Sequence, residues 1–259
     1  MKKGVGKLNR SLTTFLALLC FLPPLLILAR IWIPEFGHYS VPNERIEDAV
    51  LEQCRLSPSD SVLEEIRGYR LFSVGWKDNN QHIAAAEKLL HGSAELPGYA
   101  SNQIHLPFAP ADLEGGSGLW QIYFSGLAVP QILLDAYRVT GREDLWIAAR
   151  ESILAWAQYD RSAWVNRGSL WDDHALAVRV QTLADFWLLY RRRPDYRPDV
   201  ARTVLEFVAR TGERLSKPDF FTFATNHGVM ENIGLWHLCI AFPSPFHTWS
   251  STSRSLSHA

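Results

Sequence analysis

From Leu119 onward the sequence predicts an all-α protein of stacked antiparallel helical hairpins. Three observations carry this expectation. Helical patterns begin near residues 119, 143, 173, 199 and 226. The turn-forming breaks "TGRED", "DRSAWVNRGS", "RRRPDYRPD" and "TGERLSKPD" separate them. No sustained two-residue alternation of the strand kind follows Leu119.

Taken in order, residues 1–10 form a basic tail with Lys2, Lys3, Lys7 and Arg10. Residues 11–33 are expected to be a transmembrane signal anchor. Ser11 to Ala29 carries no charge, and at about 1.5 Å per helical residue that run matches the bilayer core. Basic residues on its N-terminal side place the bulk of the chain outside the cytoplasm, in the periplasm of a Gram-negative cell. A cleavable signal peptide is the rival reading, and Pro23-Pro24 in mid-span suits it as well as it suits an anchor. The run ends "ILARIWIPEF", with no A-x-A-like cleavage site, which favours the anchor. Residues 34–118 are rich in turn formers and read as an irregular region with short helices, "HIAAAEKLLHG" among them, while "RLFSVGW" has strand character.

Within residues 119–243 each helix has its own justification. In "EDLWIAARESILAWAQY" the positions Leu145, Trp146, Ala149, Ile153, Trp156 and Ala157 form one apolar stripe. "DDHALAVRVQTLADFWLLYRRR" opens on two acids and closes on three arginines, both suited to the helix dipole. In "FATNHGVMENIGLWHLCIAF" an Asn-His pair stands directly before an apolar run at helical spacing. Residues 244–259 include six serines and no apolar periodicity, and are expected to be a disordered tail. A helical ladder that stops without a polar cap has the look of an interruption, such as a frameshift or truncation.

The charge balance narrows the partners. Of 26 basic residues five precede Glu35, leaving 21 against 27 acidic residues in the remainder. Nucleic acid is therefore an unsuitable partner, and an acidic ligand needs a local patch. Cys54 and Cys239 allow an extracytoplasmic disulfide, although Cys239 also suits a small buried position on its helix. No Gly-rich phosphate loop and no G-x-S-x-G elbow is present, so no cofactor is expected. His227, Glu231 and His237 lack the H-E-x-x-H spacing and one helix cannot gather them round an ion, so no metal is expected.

Two motifs offer chemistry. Asn226 at a helix start either caps the helix, contributing about 1 kcal/mol, or joins His227 and the free N–H groups of the helix N-terminus as an anion site. His227 and Glu231, four apart, can share a helix face. In "WDDHALAVR" Asp172 and Asp173 are good caps and His174 suits a first turn. Trp120, Tyr123, Trp164 and Trp187 fit a helical core better than a sugar platform.

The segments "LLDAYRVTGREDLWIAARESILAWAQY", "SLWDDHALAVRVQTLADFWLLYRR" and "FATNHGVMENIGLWHLCIAFP" resemble the N-terminal helical domain of heparinase II/III and alginate-lyase-type polysaccharide lyases, over roughly residues 70–243. The resemblance implies an incomplete (α/α) toroid whose inner helices point into a cleft for an acidic polysaccharide. Such lyases remove the proton alpha to a uronate carboxylate, a step that needs the carboxylate neutralised as charge flows into it. The resemblance assigns this role to Asn226 with His227 beside it, Trp171 as a sugar platform, and His174 and Arg179 to the polyanion. It also implies a Tyr, and often a further His, downstream of the Asn-His motif. No Tyr follows it here, where the chain turns to serine within about twenty residues, and Tyr123, Tyr137, Tyr159 and Tyr190 match no catalytic position, so the chain as given is expected not to turn over polysaccharide. Two alternatives remain. One is a non-catalytic glycan-binding or scaffold protein in exopolysaccharide export. The other is a different toroid enzyme, a uronyl epimerase or a glycoside hydrolase, the latter drawing on Asp172, Asp173 and Glu231 for two carboxylates about 5–10 Å apart.

The anchor expectation has a direct check. Membrane fractionation followed by external protease should find the chain in the membrane fraction with its bulk digestible from outside. A soluble, protected cytoplasmic protein would contradict it.

Overall fold

A computed structural model of the chain describes residues 46–69, 78–96, 101–114, 116–163, 167–217, 221 and 226–242. All of them lie in one compact unit, Asn43–Ala259. The expected membrane span, "RLFSVGW", Trp164 and the Ser-rich tail fall outside the described residues. No helix among the described residues is long and apolar enough to cross a membrane.

The described residues form nine α-helices: α1 (Asp48–Leu56), α2 (Asp60–Gly68), α3 (Asn79–Leu90), α4 (Gly118–Ser125), α5 (Ala128–Thr140), α6 (Glu143–Ser162), α7 (Asp173–Tyr190), α8 (Pro198–Leu215) and α9 (Asn226–Ala241). Beside them stand a 3₁₀ turn, Pro110–Glu114, and a two-residue antiparallel pair, Ser93–Ala94 with Asn102–Gln103. The protein is all-α, as the helical spacing predicts. All five predicted helix starts fall within one residue of the observed ones, and those at 143, 173 and 226 coincide with Glu143, Asp173 and Asn226.

The boundaries have local causes. Gly141 closes α5 at φ 67°, a left-handed conformation that glycine adopts without steric cost. The two-residue link Gly141–Arg142 then folds α6 back on α5. Glu143 and Asp144 favour the first turn of α6, and Pro198 at the start of α8 gives up no hydrogen bond. Two boundaries differ from expectation. The first predicted helix is divided at Gly126-Leu127, where buried Leu127 turns the chain at φ 67°. The "TGERL" part of one expected break is helical, because α8 continues to Leu215. That extension keeps Arg210 and Arg214, four apart, on one face toward a shared partner.

Helix α7 is the centre of the assembly, packing against α2, α4, α5, α8 and α9. Every residue from Ala175 to Leu188 is buried, as expected of a helix that is apolar nearly all round. The early helices belong to this core: α2 packs on α7, α1 on α8 and α3 on α5. Trp187 Nε1 donates to the carbonyl of Cys54, 3.0 Å away, tying α7 to α1. Trp146, Phe186 and Tyr190 stack between α6 and α7, with the Trp146 and Phe186 ring centres 5.2 Å apart. Cys54 is buried, Cys239 is exposed and no disulfide joins them, which corrects both the possible pairing and the buried placement of Cys239.

One carboxylate organises the polar interior. Asp160, near the end of α6, accepts from Trp171 Nε1 at 3.0 Å, Arg210 Nε at 2.8 Å and Arg214 Nη1 at 2.8 Å. Arg179 Nη1 of α7 stands 3.6 Å from the same carboxylate. Arg179 also donates to the carbonyls of Ser125 and Leu170, and Arg210 to that of Ala157. Burial pushes Asp160 upward, but the guanidinium groups of Arg214, Arg179 and Arg210 outweigh it and hold the carboxyl down to about 2. Burial pulls Arg179 down to about 10, still charged at neutral pH, with Asp160 opposing the shift.

Replacing Asp160 by Asn leaves three buried arginines around a neutral amide, and should cost about 3–5 kcal/mol, read as a fall in the urea midpoint. The depressed carboxyl also sets a pH window. Its contribution, about 2–3 kcal/mol, is fully present above the unfolded value near 4 and disappears as pH falls through about 2. Asp160→Asn should therefore flatten the stability profile between those two pH values, and an unchanged slope there would refute the assignment.

Candidate functional site

The two motifs, separated by 54 residues at Asp173 and His227, meet where the first turns of α7 and α9 lie side by side. Asp172 caps α7 by accepting from the backbone N–H of His174 at 3.0 Å. That contact leaves the side chain of Asp173 on the inner side of the first turn. Its Oδ2 lies 2.8 Å from His227 Nδ1 and its Oδ1 3.3 Å from His174 Nδ1. The two imidazoles are in direct contact, with ring centres 3.8 Å apart and planes inclined at 62°.

Small residues make this meeting possible. A β-carbon on Gly234 would fall 2.9 Å from Ala177 Cα and 3.1 Å from its Cβ, so α9 lies against α7 as closely as backbones allow. Further along, Gln181 Nε2 is 3.0 Å from His237 Nδ1. The pairs His174 with His227, Ala177 with Gly234 and Gln181 with His237 advance in the same direction on both helices, so α7 and α9 run parallel.

Above the His pair is a cavity of about 330 Å³, lined by Leu119, Ile122, Tyr123, His174, Val178, Asn226 and His227. Imidazole and amide groups, the Tyr123 phenol and three aliphatic side chains make up the lining, and no carboxylate is among the lining residues. Asn226 is exposed at the first position of α9 and His227 is partly exposed. His174 is more enclosed, with 12% of its side chain exposed. Burial, and then repulsion from Asp173, raises Asp172 above the ordinary carboxylate range. Burial works the same way on Asp173, but the His227 hydrogen bond and the backbone N–H of His174 overcome it and hold that carboxyl below its usual value.

Of the five residues singled out from the sequence, Asn226, His227 and His174 come together at this cavity. Trp171 and Arg179 do not. Trp171 is 2% exposed and Arg179 not at all, and both face the Asp160 cluster with Arg214 stacked 4.7 Å from the Trp171 ring centre. The expected sugar platform and polyanion contact are therefore corrected: both side chains hold the core together, where a glycan cannot touch them. Glu231 is fully buried, so it lies beyond reach of a substrate. The pair that holds His227 comes from α7 through Asp173.

Two participants escaped sequence reasoning. Asp173, expected to be a cap, is the hub of the His pair, and its position directly before His174 was the available clue. Tyr123 is the one of the four upstream tyrosines that lines the cavity; Tyr190 is spent on the backbone of Arg197 and Tyr137 receives Arg193. Trp120 and Trp187 are buried, as a core role requires. No protein-family model, curated protein or solved structure matches the chain.

The close approach of α9 to α7 is the geometric condition for the site. Gly234→Ala should lower stability by about 1–3 kcal/mol through overpacking against Ala177. It should also separate the His174 and His227 rings, seen as loss of the nuclear Overhauser contact between their ring protons. Retention of that contact at wild-type stability would contradict the packing argument.

Proposed function

We propose that this chain is a heparinase II/III-like protein that binds a uronic-acid polysaccharide, with the cavity at the N-terminal ends of α7 and α9 as the subsite for a uronate carboxylate. The observation that supports this most is the convergence of Asn226, His227 and His174 on one concave, carboxylate-free surface. A bound anion would meet the Asn226 amide, an imidazole N–H and the positive end of the α9 dipole, the combination that favours negative charge. The Leu119, Ile122 and Val178 walls would exclude water from one side of the sugar ring and strengthen those contacts. The parallel arrangement of α7 and α9, linked through α8, is what successive inner helices of an (α/α) toroid require, and is the basis for extending the fold assignment to that architecture.

The same residues supply the elements of β-elimination. Asn226 would neutralise the carboxylate as the alpha proton leaves. The His227–Asp173 pair, or the Tyr123 phenol across the cavity, would take that proton, and His174 would be placed to protonate the leaving glycosidic oxygen. The glycoside-hydrolase alternative has less support, since Asp172 is the α7 cap, Asp173 is engaged by the histidines and Glu231 is buried. No two of them face each other across the cavity.

Titration with uronate oligosaccharides tests the reading. Asn226→Ala should weaken binding by about 1–3 kcal/mol, the range for leaving a charged partner without its hydrogen bond, with a smaller change in thermal stability. A melting temperature that drops while the isotherm stays unchanged would make Asn226 a cap and nothing more. Following unsaturated ends by ultraviolet absorbance in the same samples separates binding from turnover, and Tyr123→Phe should then abolish any product formation that depends on the phenol.

A further inference from the structure

We propose that Asp173, His174 and His227 form a binding site for one divalent transition-metal ion of the zinc type. One potential ligand atom from each of the three residues can be chosen so that all lie within 4.8 Å of one another. A tetrahedral Zn²⁺ with bonds of about 2.0–2.1 Å places its ligands roughly 3.3 Å apart. His227 Nδ1 lies 2.8 Å from Asp173 Oδ2 and His174 Nδ1 3.3 Å from Oδ1, so each imidazole already faces one oxygen of the same carboxylate. The remaining adjustment is within the reach of imidazole rotation.

The donor chemistry is specific. Two imidazoles and one carboxylate suit zinc and its neighbours, whereas calcium and magnesium prefer all-oxygen shells. Three protein ligands with one side open is the arrangement of a metal that meets a ligand or water, as distinct from a closed structural site. The open side here is the cavity lined by Asn226 and Tyr123. Sequence reasoning tested His227 with Glu231 and His237, but His237 stands about 15 Å further along α9 and pairs with Gln181. The set that converges draws two ligands from α7 and one from α9, a combination invisible to spacing within one helix.

The electrostatic balance is compatible with a cation. Two helix N-termini contribute about half a positive charge each. Asp173, and Asp172 whose Oδ1 is 3.9 Å from His174 Nδ1, oppose them. The ligands also stand on two helices fixed against each other at Gly234 and Ala177, so little ordering is needed when the ion enters. A metal in this position would hold a ligand carboxylate by direct coordination, but the site itself does not depend on the polysaccharide reading and is tested without any glycan.

The experiment is calorimetric titration of the chelator-stripped, detergent-solubilised full chain with ZnCl₂ alone, followed by Co²⁺ substitution. One ion per chain should bind, with Co²⁺ giving the visible absorption of a four- or five-coordinate site. Asp173→Asn and His227→Gln should each weaken Zn²⁺ about 100-fold or more, at least the effect seen when only the support of a ligand is removed. His105→Gln, which alters the separate His105–Asp112 pair, should leave affinity unchanged. His227→Gln retains a hydrogen-bonding group toward Asp173, and circular dichroism would verify its fold. Absence of saturable binding, or binding retained in the folded His174→Gln/His227→Gln double variant, would overturn the proposal.

Discussion

The described fold depends on how the Asp160 carboxylate is neutralised. A single buried charge is met by three guanidinium groups and an indole N–H drawn from α7, α8 and the turn before α7. The surplus positive charge is spread over the carbonyls of Ser125, Leu170 and Ala157 and over the faces of Phe207 and Trp171. Arginine suits this work because its planar fork can serve a carboxylate, a carbonyl and an aromatic face together. An aliphatic replacement of the whole cluster could equal its stability. The polar version fixes direction as well, since each donor has one geometry in which it is satisfied, and this sets the rotation of α7 about its axis.

That rotation matters because α7 has no solvent face to spare. With Ala175 to Leu188 buried, its residues are distributed among five neighbouring helices, and only the first turn reaches the surface of the site. Arg179 points toward Asp160 while Ala177 meets Gly234 and His174 meets His227. The core cluster and the candidate site are thus two readings of one helix orientation, and Trp171 and Arg179 serve the site only through it.

Helix starts were legible in the sequence wherever a local chemical signal marks them: the Glu143-Asp144 pair, Pro198 after a charged turn, Gly141 at a left-handed exit. The break expected at "TGERL" misled because the identity of Thr-Gly suggests a turn, whereas the long-range demand of Asp160 on Arg210 and Arg214 keeps that segment helical. Trp171 and Arg179 misled for a related reason. An arginine beside a Trp-Asp-Asp-His motif resembles a polyanion contact, and only the fold reveals the buried carboxylate that claims both side chains. Asn226, His174 and His227 were visible as polar residues at helix starts. Their contact through Asp173 spans 54 residues and could not be read from spacing.

The parallel seam between α7 and α9 has one further consequence. Its register is fixed at three places, His227 on Asp173, Gly234 on Ala177 and His237 on Gln181, and a slip of α9 by one turn would carry His227 about 5.4 Å along the axis, away from Asp173. The Asp160 cluster would not notice, since α9 supplies none of its members. In that sense α9 is a drawer seated in a separate frame, and the contact of His227 with Asp173 exists only when the drawer is fully home.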